Sequence, residues 1–131
     1  MIQQKEKSLS VLKGECQTVF NKWIRLRDKD KPCIYCGKPE TKADPFDACH
    51  YYPISTAEAL RFSEANVHGG HRSCNSIDDR DAYAWSMADR VGLITMEEIE
   101  PLRHSLMKYS RHEIQELIEH YQAKIKALLK T

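Results

Sequence analysis

An α+β fold, mostly α, is what this sequence predicts, and three observations predict it. Apolar residues recur at three- and four-residue steps near both ends of the chain, the pattern of amphipathic helices. Between them lies a stretch broken by Pro32, Gly37, Pro39, Pro45 and Pro53, with too little alternation for more than a short hairpin. That stretch holds four N/S side chains in two tight pairs, Cys33-Ile34-Tyr35-Cys36 and His71-Arg72-Ser73-Cys74. Zinc takes four such ligands tetrahedrally, and closely spaced Cys and His pairs are how structural sites supply them. The expected architecture is one domain over residues 1–131: a basic N-terminal helix (1–31), a zinc-stapled core (32–93) and a C-terminal helical hairpin (94–131).

Each element has its own signal. Leu9, Leu12, Cys16, Val19, Phe20, Trp23 and Leu26 fall on one helical face, so residues 4 to about 28 read as helix, with Cys16 in its core. Gly37 after the first pair suits a knuckle turn, because glycine accepts φ > 0 where backbone N–H groups fold back towards thiolates. A short hairpin is expected around Phe46 to Tyr52, and a helical turn over Thr56 to Phe62. Asn66-Val67-His68-Gly69-Gly70 reads as turn chemistry leading into the second pair, with His68 either an exposed loop residue or a group for a second metal site or a DNA phosphate. Asp78 to Val91 reads as a helix closed by Gly92. Thr95-Met96-Glu97-Glu98 and Ser110-Arg111-His112-Glu113 have the spacing of capping boxes and would start two more helices. The last carries Ile114, Leu117, Ile118, Tyr121, Ile125, Leu128 and Leu129 on one stripe, either core or a dimer interface.

Composition excludes several classes. At 41% hydrophobic and 30% charged, the chain has the balance of a soluble globular protein. No apolar run approaches the ~20 residues of a membrane span, and the N-terminus lacks the apolar core of a signal peptide. The expectation is a cytoplasmic protein with no membrane partner. Five cysteines in that reducing setting favour metal over disulfides. The net charge of +1 is unevenly placed. Residues 1–32 carry eight Lys/Arg against four acids, net +4, whereas residues 33–94 carry six against nine, net −3. Lys22, Arg25, Arg27, Lys29 and Lys31 at the basic end, with Arg61 and Arg72 beyond it, are the candidate contacts to a phosphate backbone.

The remaining candidates lie between the ligand pairs. His50 ends the strand-like run Phe46-Asp47-Ala48-Cys49, Asn66 sits in the following loop, and Asn75 directly follows the ligand Cys74. A hairpin histidine, a loop asparagine and an asparagine at a helix start fit the ββα-metal (HNH-like, His-Me finger) nuclease arrangement. There the histidine takes a proton from the attacking water, and a divalent cation stabilises the phosphorane and the leaving oxygen. The loop asparagine hydrogen-bonds backbone near the histidine and orients its ring.

The segments Trp23-Ile24-Arg25-Leu26-Arg27-Asp28, Cys33-Ile34-Tyr35-Cys36-Gly37-Lys38 and Asp47-Ala48-Cys49-His50 carry a more specific likeness. It continues through Ala59-Leu60-Arg61-Phe62, Asn66-Val67-His68 and Cys74-Asn75 to the capped helix of Tyr109 to Tyr121. Over residues 18 to 125 or so the chain resembles the phage lambda NinG (Rap) family of recombination endonucleases, and more distantly the endonuclease VII junction resolvases. The resemblance implies cleavage of branched recombination intermediates such as Holliday junctions and D-loops, with Mg²⁺ or Mn²⁺ as catalytic cofactor beside structural Zn²⁺. It implies phage or prophage origin, branched DNA as partner, phage recombination proteins as further partners, and a homodimer. The chain departs from the pattern in carrying His71 where a cysteine is usual. It also has Cys49 where endonuclease VII-like proteins place an aspartate, and a thiol is a poor Mg²⁺ ligand. Asp47 and Asn75 are then the expected holders of the catalytic cation, with His50, Asn66 and Asn75 as the catalytic set. Two alternatives stand beside this: a non-catalytic zinc-containing DNA-binding module, and an HNH nicking enzyme without junction preference.

Overall fold

The structure, a computed structural model, describes residues 6–130. Helix α1 (Leu9–Asp28) begins where the Ser8 hydroxyl accepts the Val11 N–H at 3.1 Å, and Arg25 and Arg27 oppose the dipole in its last turn. It starts later than the expected residue 4, because Ser8 is its N-cap; residues 4 and 5 lie outside the described residues. A knuckle at Cys33–Gly37 follows, with Gly37 at φ 77° and its N–H on the Cys33 carbonyl.

Strand β1 (Phe46–His50) pairs antiparallel with β2 (Val67–His71), in the register Phe46↔His71, Ala48↔Gly69, His50↔Val67. The hairpin expected within Phe46 to Tyr52 is thus only half local. Its second strand is the stretch read as a turn, Val67-His68-Gly69-Gly70. Glycine is a poor strand former alone, but here a β-carbon on Gly69 would stand 2.9 Å from both Asp28 and Phe46, and one on Gly70 3.1 Å from Cys49, Ile34 and Tyr35. Close approach of α1 and the knuckle to β2 selects glycine. Residues 51–66 bridge the strands and include one 3₁₀ turn, Glu58–Leu60, inside the predicted helical turn.

The helix expected from Asp78 to Val91 is present but begins two residues later, and a separate short helix precedes it. Helix α2 (Arg72–Ile77) stops at Asp78, which adopts φ 54° and returns its N–H to the Cys74 carbonyl at 2.9 Å. Asp79 then caps α3 (Arg80–Val91) through the Ala82 N–H. Left-handed geometry is open to aspartate, and the short polar side chain that suited a helix start also suits a helix stop. Helix α4 (Leu93–Ile99) starts at Gly92 with no side-chain cap, so Thr95 does not form the predicted box. A 3₁₀ turn, Glu100–His104, takes up Pro101. The second box is present: in α5 (Arg111–Leu129) the Ser110 hydroxyl accepts the Glu113 N–H and the Glu113 carboxylate accepts the Ser110 N–H.

Helix α5 does not form a hairpin with α4. It lies along α1, and Ile114, Tyr121 and Ile125 are buried with Leu12, Cys16, Phe20, Trp23 and Ile24. Leu117 and Ile118 pack at the edge of this core, and only Leu128 and Leu129 remain exposed from the predicted stripe. The stripe is core because α1 offers a longer matching apolar face than α4, whose Leu93 and Ile94 point to solvent. A second core joins the knuckle, β1, α3 and α4 through Ile34, Phe46, Leu60, Tyr83, Met87 and Ile99. The two-stranded sheet lies between the cores, which fixes the positions of both ligand pairs and of His50. Among the described residues no helix is long and apolar enough to cross a membrane.

Candidate functional site

Folding brings the two ligand pairs into one cluster. The four ligand atoms of Cys33, Cys36, His71 and Cys74 all lie within 4.8 Å of one another. A tetrahedral ion with Zn–S bonds of about 2.3 Å spaces its sulfurs roughly 3.8 Å apart. His71 Nδ1 stands 3.2 Å from Cys36 Sγ and 3.9 Å from Cys74 Sγ. Its Nε2 faces the Pro39 carbonyl at 2.9 Å, which assigns the hydrogen to Nε2 and leaves the Nδ1 lone pair towards the sulfurs. Burial raises the Cys33 thiol, but N–H groups of Cys36, His71 and Tyr35 directed at the sulfur outweigh it and hold it at about 7. Donors aimed at sulfur and a correctly oriented imidazole are what a structural zinc needs. These residues fit the ion, and the Cys₃His cluster can hold it.

His50 ends β1 on the α1 side of the sheet. Its Nε2 lies 3.1 Å from the Arg61 carbonyl, which makes Nε2 the hydrogen-bearing nitrogen in the neutral ring. Burial lowers its proton affinity below the usual imidazole value, and the Arg61 charge lowers it further, against the raising effect of the Arg61 and Ala48 carbonyls. The ring is therefore neutral at pH 7.

Asn66, fully buried, builds the loop that carries that carbonyl. Its side-chain oxygen accepts the Tyr52 N–H at 2.9 Å, and its amide donates to the carbonyls of Tyr52 (3.1 Å) and Leu60 (3.2 Å). The Leu60 carbonyl belongs to the peptide just before the one that His50 meets, so the asparagine holds the loop one peptide away from that contact. Tyr83 completes the buttress, its hydroxyl donating to the Cys49 carbonyl at 2.6 Å.

The expected cation pair is placed differently. Side chains alternate along a strand, so Asp47 and His50 project from opposite faces of β1. The Asp47 carboxylate is held by Arg72 Nε at 3.1 Å. Asn75 lies in the first turns of α2 with its oxygen 3.5 Å from the Tyr35 hydroxyl, which itself donates to Asp78 at 2.7 Å. Arg80 braces the same corner by donating to Asp78 and to the Tyr51 carbonyl, its guanidinium over the Tyr51 ring. Cys49, buried, points at Gly70 and Tyr35, and burial pushes its thiol far up. Arg72 thus occupies the Asp47 carboxylate, and Asn75 lies beside Tyr35 at the Asp78 corner.

The basic candidates divide sharply. Lys22, Arg25 and Lys29 are exposed on the second half of α1 and beyond it, and make no ion pair among the described residues. Arg27 is turned inward: it donates to both Asp28 oxygens (2.7 and 2.9 Å) and to the carbonyls of Glu64 (3.0 Å) and Val67 (2.7 Å). Arg61 is likewise engaged, by Gln17 at 2.9 Å and Glu58 at 3.1 Å. Lys31 leans on Asp28 at 3.4 Å, and Arg72 is exposed but paired with Asp47. Arg27 and Arg61 hold the fold together, Arg27 through the Asp28 carboxylate and two backbone carbonyls, Arg61 through the Glu58 carboxylate and the Gln17 side-chain oxygen.

Two residues escaped the sequence reading. Asp28 is 0% exposed and gathers Arg27, Lys31 and Arg90 around it while accepting the Gly69 N–H at 2.8 Å. His68, expected in an exposed loop, is buried, with Nε2 on the Ala65 carbonyl at 2.7 Å. The adjacent Arg27-Asp28 dipeptide on the buried edge of a helix was the available signal for the first; nothing local marked the second.

The family described as Bacteriophage Lambda NinG protein matches residues 1–131. The chain belongs to the NinG family. Protein ninG of Salmonella phage P22 is 33% identical over 116 residues, covering 87% of this chain and 56% of that protein. Protein ninG of Escherichia phage lambda is 33% identical over 116 residues, covering 87% of this chain and 55% of that protein. The chain thus spans just over half the length of these NinG relatives. No solved structure matches the chain.

Proposed function

We propose that this NinG-family chain is an HNH-type endodeoxyribonuclease that hydrolyses phosphodiesters in branched recombination intermediates, Holliday junctions and D-loops among them. One observation carries the reading: His50 stands at a strand end with Nε2 fixed on the Arg61 carbonyl and its proton affinity lowered by burial. A neutral imidazole with its hydrogen on Nε2 carries its lone pair on Nδ1, the atom that would accept a proton in general-base catalysis at neutral pH. In this reading Asn66 positions the Arg61 carbonyl and with it the ring, and the Cys₃His cluster, filled by zinc, anchors β2 and α2. Lys22 and Arg25 on the helix that faces His50, with Lys29 just past its end, supply phosphate contacts, while Arg27 and Arg61 act as scaffold.

Nucleases of this type take Mg²⁺ or Mn²⁺, which would stabilise the charge that develops on the phosphoryl group. Asp47 and Asn75 are the candidate holders of that ion, and no step is routed through them. Phage recombination as the setting, the cytoplasm of the host as the place, and a homodimer as the active form belong to the same proposal. The deciding experiment is cleavage of a fixed four-way junction and its linear duplex, each with Mg²⁺ and with EDTA. Metal-dependent cutting that favours the junction supports the reading. Equal cutting of both DNAs would point to a nicking enzyme without junction preference, and binding without cutting to a non-catalytic zinc-containing DNA-binding module.

A further inference from the structure

Beside its apolar stripe, α1 carries a polar one: Gly14, Gln17, Asn21 and Arg25 recur at three- and four-residue steps. Gln17, half-buried, is the member that meets the His50 site. Its side-chain oxygen accepts from Arg61 Nε at 2.9 Å. That contact assigns the amide orientation and turns Nε2 the other way. There Nε2 donates to Asn21 Oδ1 at 2.8 Å and to the Arg61 carbonyl at 3.3 Å, and lies 3.5 Å from His50 Nε2. The Arg61 carbonyl is the acceptor on which His50 rests at 3.1 Å.

We infer that Gln17 is a positioning residue for His50. It grips Arg61 at both ends, guanidinium and carbonyl, and so keeps the carbonyl where it fixes the hydrogen on Nε2. The same side chain belongs to the helix that presents Arg25 one turn beyond Asn21. Phosphates gathered on that helix are thereby held in register with the imidazole. The inference rests on the nuclease reading above. The charged groups facing the ring are few: Arg61 from the inter-strand loop, and behind it the Glu58 carboxylate, which is shared between Arg61 and Lys13 of α1.

The test compares wild type, Gln17→Ala, Gln17→Glu and His50→Ala by single-turnover cleavage of saturating junction DNA across pH, beside ¹⁵N NMR of the His50 ring. Gln17→Glu keeps an acceptor for Arg61 and sets a carboxylate against His50 Nε2, while the Asn21 amide can turn to donate to it. Gln17→Ala should slow cleavage on the order of tenfold to a hundredfold, as small misplacements of a catalytic group do, with DNA affinity and zinc content unchanged. Gln17→Glu should move the acid limb of the rate profile, and the NMR titration of His50, to higher pH, because a nearby anion favours the imidazolium. Wild-type rates in both variants with an unmoved titration would overturn the inference. So would losses equal at every pH with an unmoved titration, since a merely structural role predicts that. Failure of wild type to cleave, or wild-type cleavage by His50→Ala, would sink the nuclease reading instead. The NMR titration alone would then decide whether Gln17 sets the proton affinity of His50.

Discussion

Arg25 and Arg27 are two residues apart on one basic helix, and the structure predicts opposite consequences for their loss. Arg27 makes four N–H contacts within 3.0 Å, two to Asp28 and two to backbone carbonyls of the inter-strand loop and β2. Its guanidinium also lies 5.3 Å over the Trp23 ring. Removing it leaves a carboxylate that is 0% exposed with only Lys31 at 3.4 Å, Arg90 at 3.6 Å and the Gly69 N–H. Breaking a buried pair generally costs 3–5 kcal/mol; with the remaining cations in place the lower end, about 3 kcal/mol, is expected. Arg25 is exposed and makes no ion pair among the described residues, so Arg25→Ala should fall within about 0.5 kcal/mol of wild type. On DNA the order reverses. Each lost phosphate contact on duplex reduces the log–log salt slope by about 0.9, so Arg25→Ala should flatten it by about one contact and Arg27→Ala should leave it unchanged. Urea unfolding at pH 7 with zinc present, read by tryptophan fluorescence, measures the first quantity, and anisotropy titrations over a range of salt measure the second. A destabilisation under 1 kcal/mol for Arg27→Ala, or equal slope changes for the two variants, would refute the division of this patch into scaffold and contact.

Asp28 should also govern acid stability. Burial raises its carboxyl, but the Arg27 hydrogen bond and charge, the Gly69 N–H and Lys31 outweigh it and hold it at about 2, below the ordinary 3.8. A folded value below the unfolded one stabilises above the unfolded pKa and is lost as pH falls towards 2, about 2 kcal/mol in all and about 1 kcal/mol of it by pH 3. The stability gap between wild type and Asp28→Asn should narrow by that amount from pH 6 to pH 3, and a constant gap would contradict the pairing. Metal analysis should find one Zn²⁺ per chain. Because structural zinc contributes on the order of 10 kcal/mol to small modules, Cys36→Ser should lose both the ion and amide protection across residues 33–75; a zinc-free variant that stays protected there would remove the Cys₃His assignment. Gly69→Ala, whose β-carbon would meet Asp28 and Phe46 at 2.9 Å, should lose about 1–3 kcal/mol. Gly14→Ala, with nothing within 4 Å, should gain about 0.5–1 kcal/mol. Equal unfolding midpoints for the two glycine variants would show that β2 has room the packing denies.

Features written in local spacing were legible before any fold was known. The apolar rhythm of α1 and α5, the Ser110 capping box and the two ligand pairs each depend on residues no more than a few positions apart. A helix turn, a cap or a chelating loop is closed by that distance alone. For the same reason the pairs could be recognised as ligands, although their meeting within 4.8 Å required the β1–β2 register.

Where local chemistry allowed two outcomes, the tertiary structure chose. Val67-His68-Gly69-Gly70 has turn composition, yet pairs as a strand with β1, and α1 and the knuckle press too close to it for a β-carbon at Gly69 or Gly70. Asp78 could start a helix or stop one, and stopped α2 once the knuckle residue Tyr35 offered its hydroxyl at 2.7 Å. The stripe on α5 could serve a dimer or a core, and α1 claimed it. Basic residues on α1 look alike in one dimension; a buried Asp28 and the carbonyls of a distant loop turned Arg27 inward and left Arg25 in water. Sequence by itself determined the two long helices, the Ser110 cap and the two Cys/His pairs, because bonds along the chain set them. Only the tertiary structure decided which charges are scaffold and which carbonyl holds His50, because those contacts join residues 11 to 62 positions apart, and their energies exist only once water has been excluded between them.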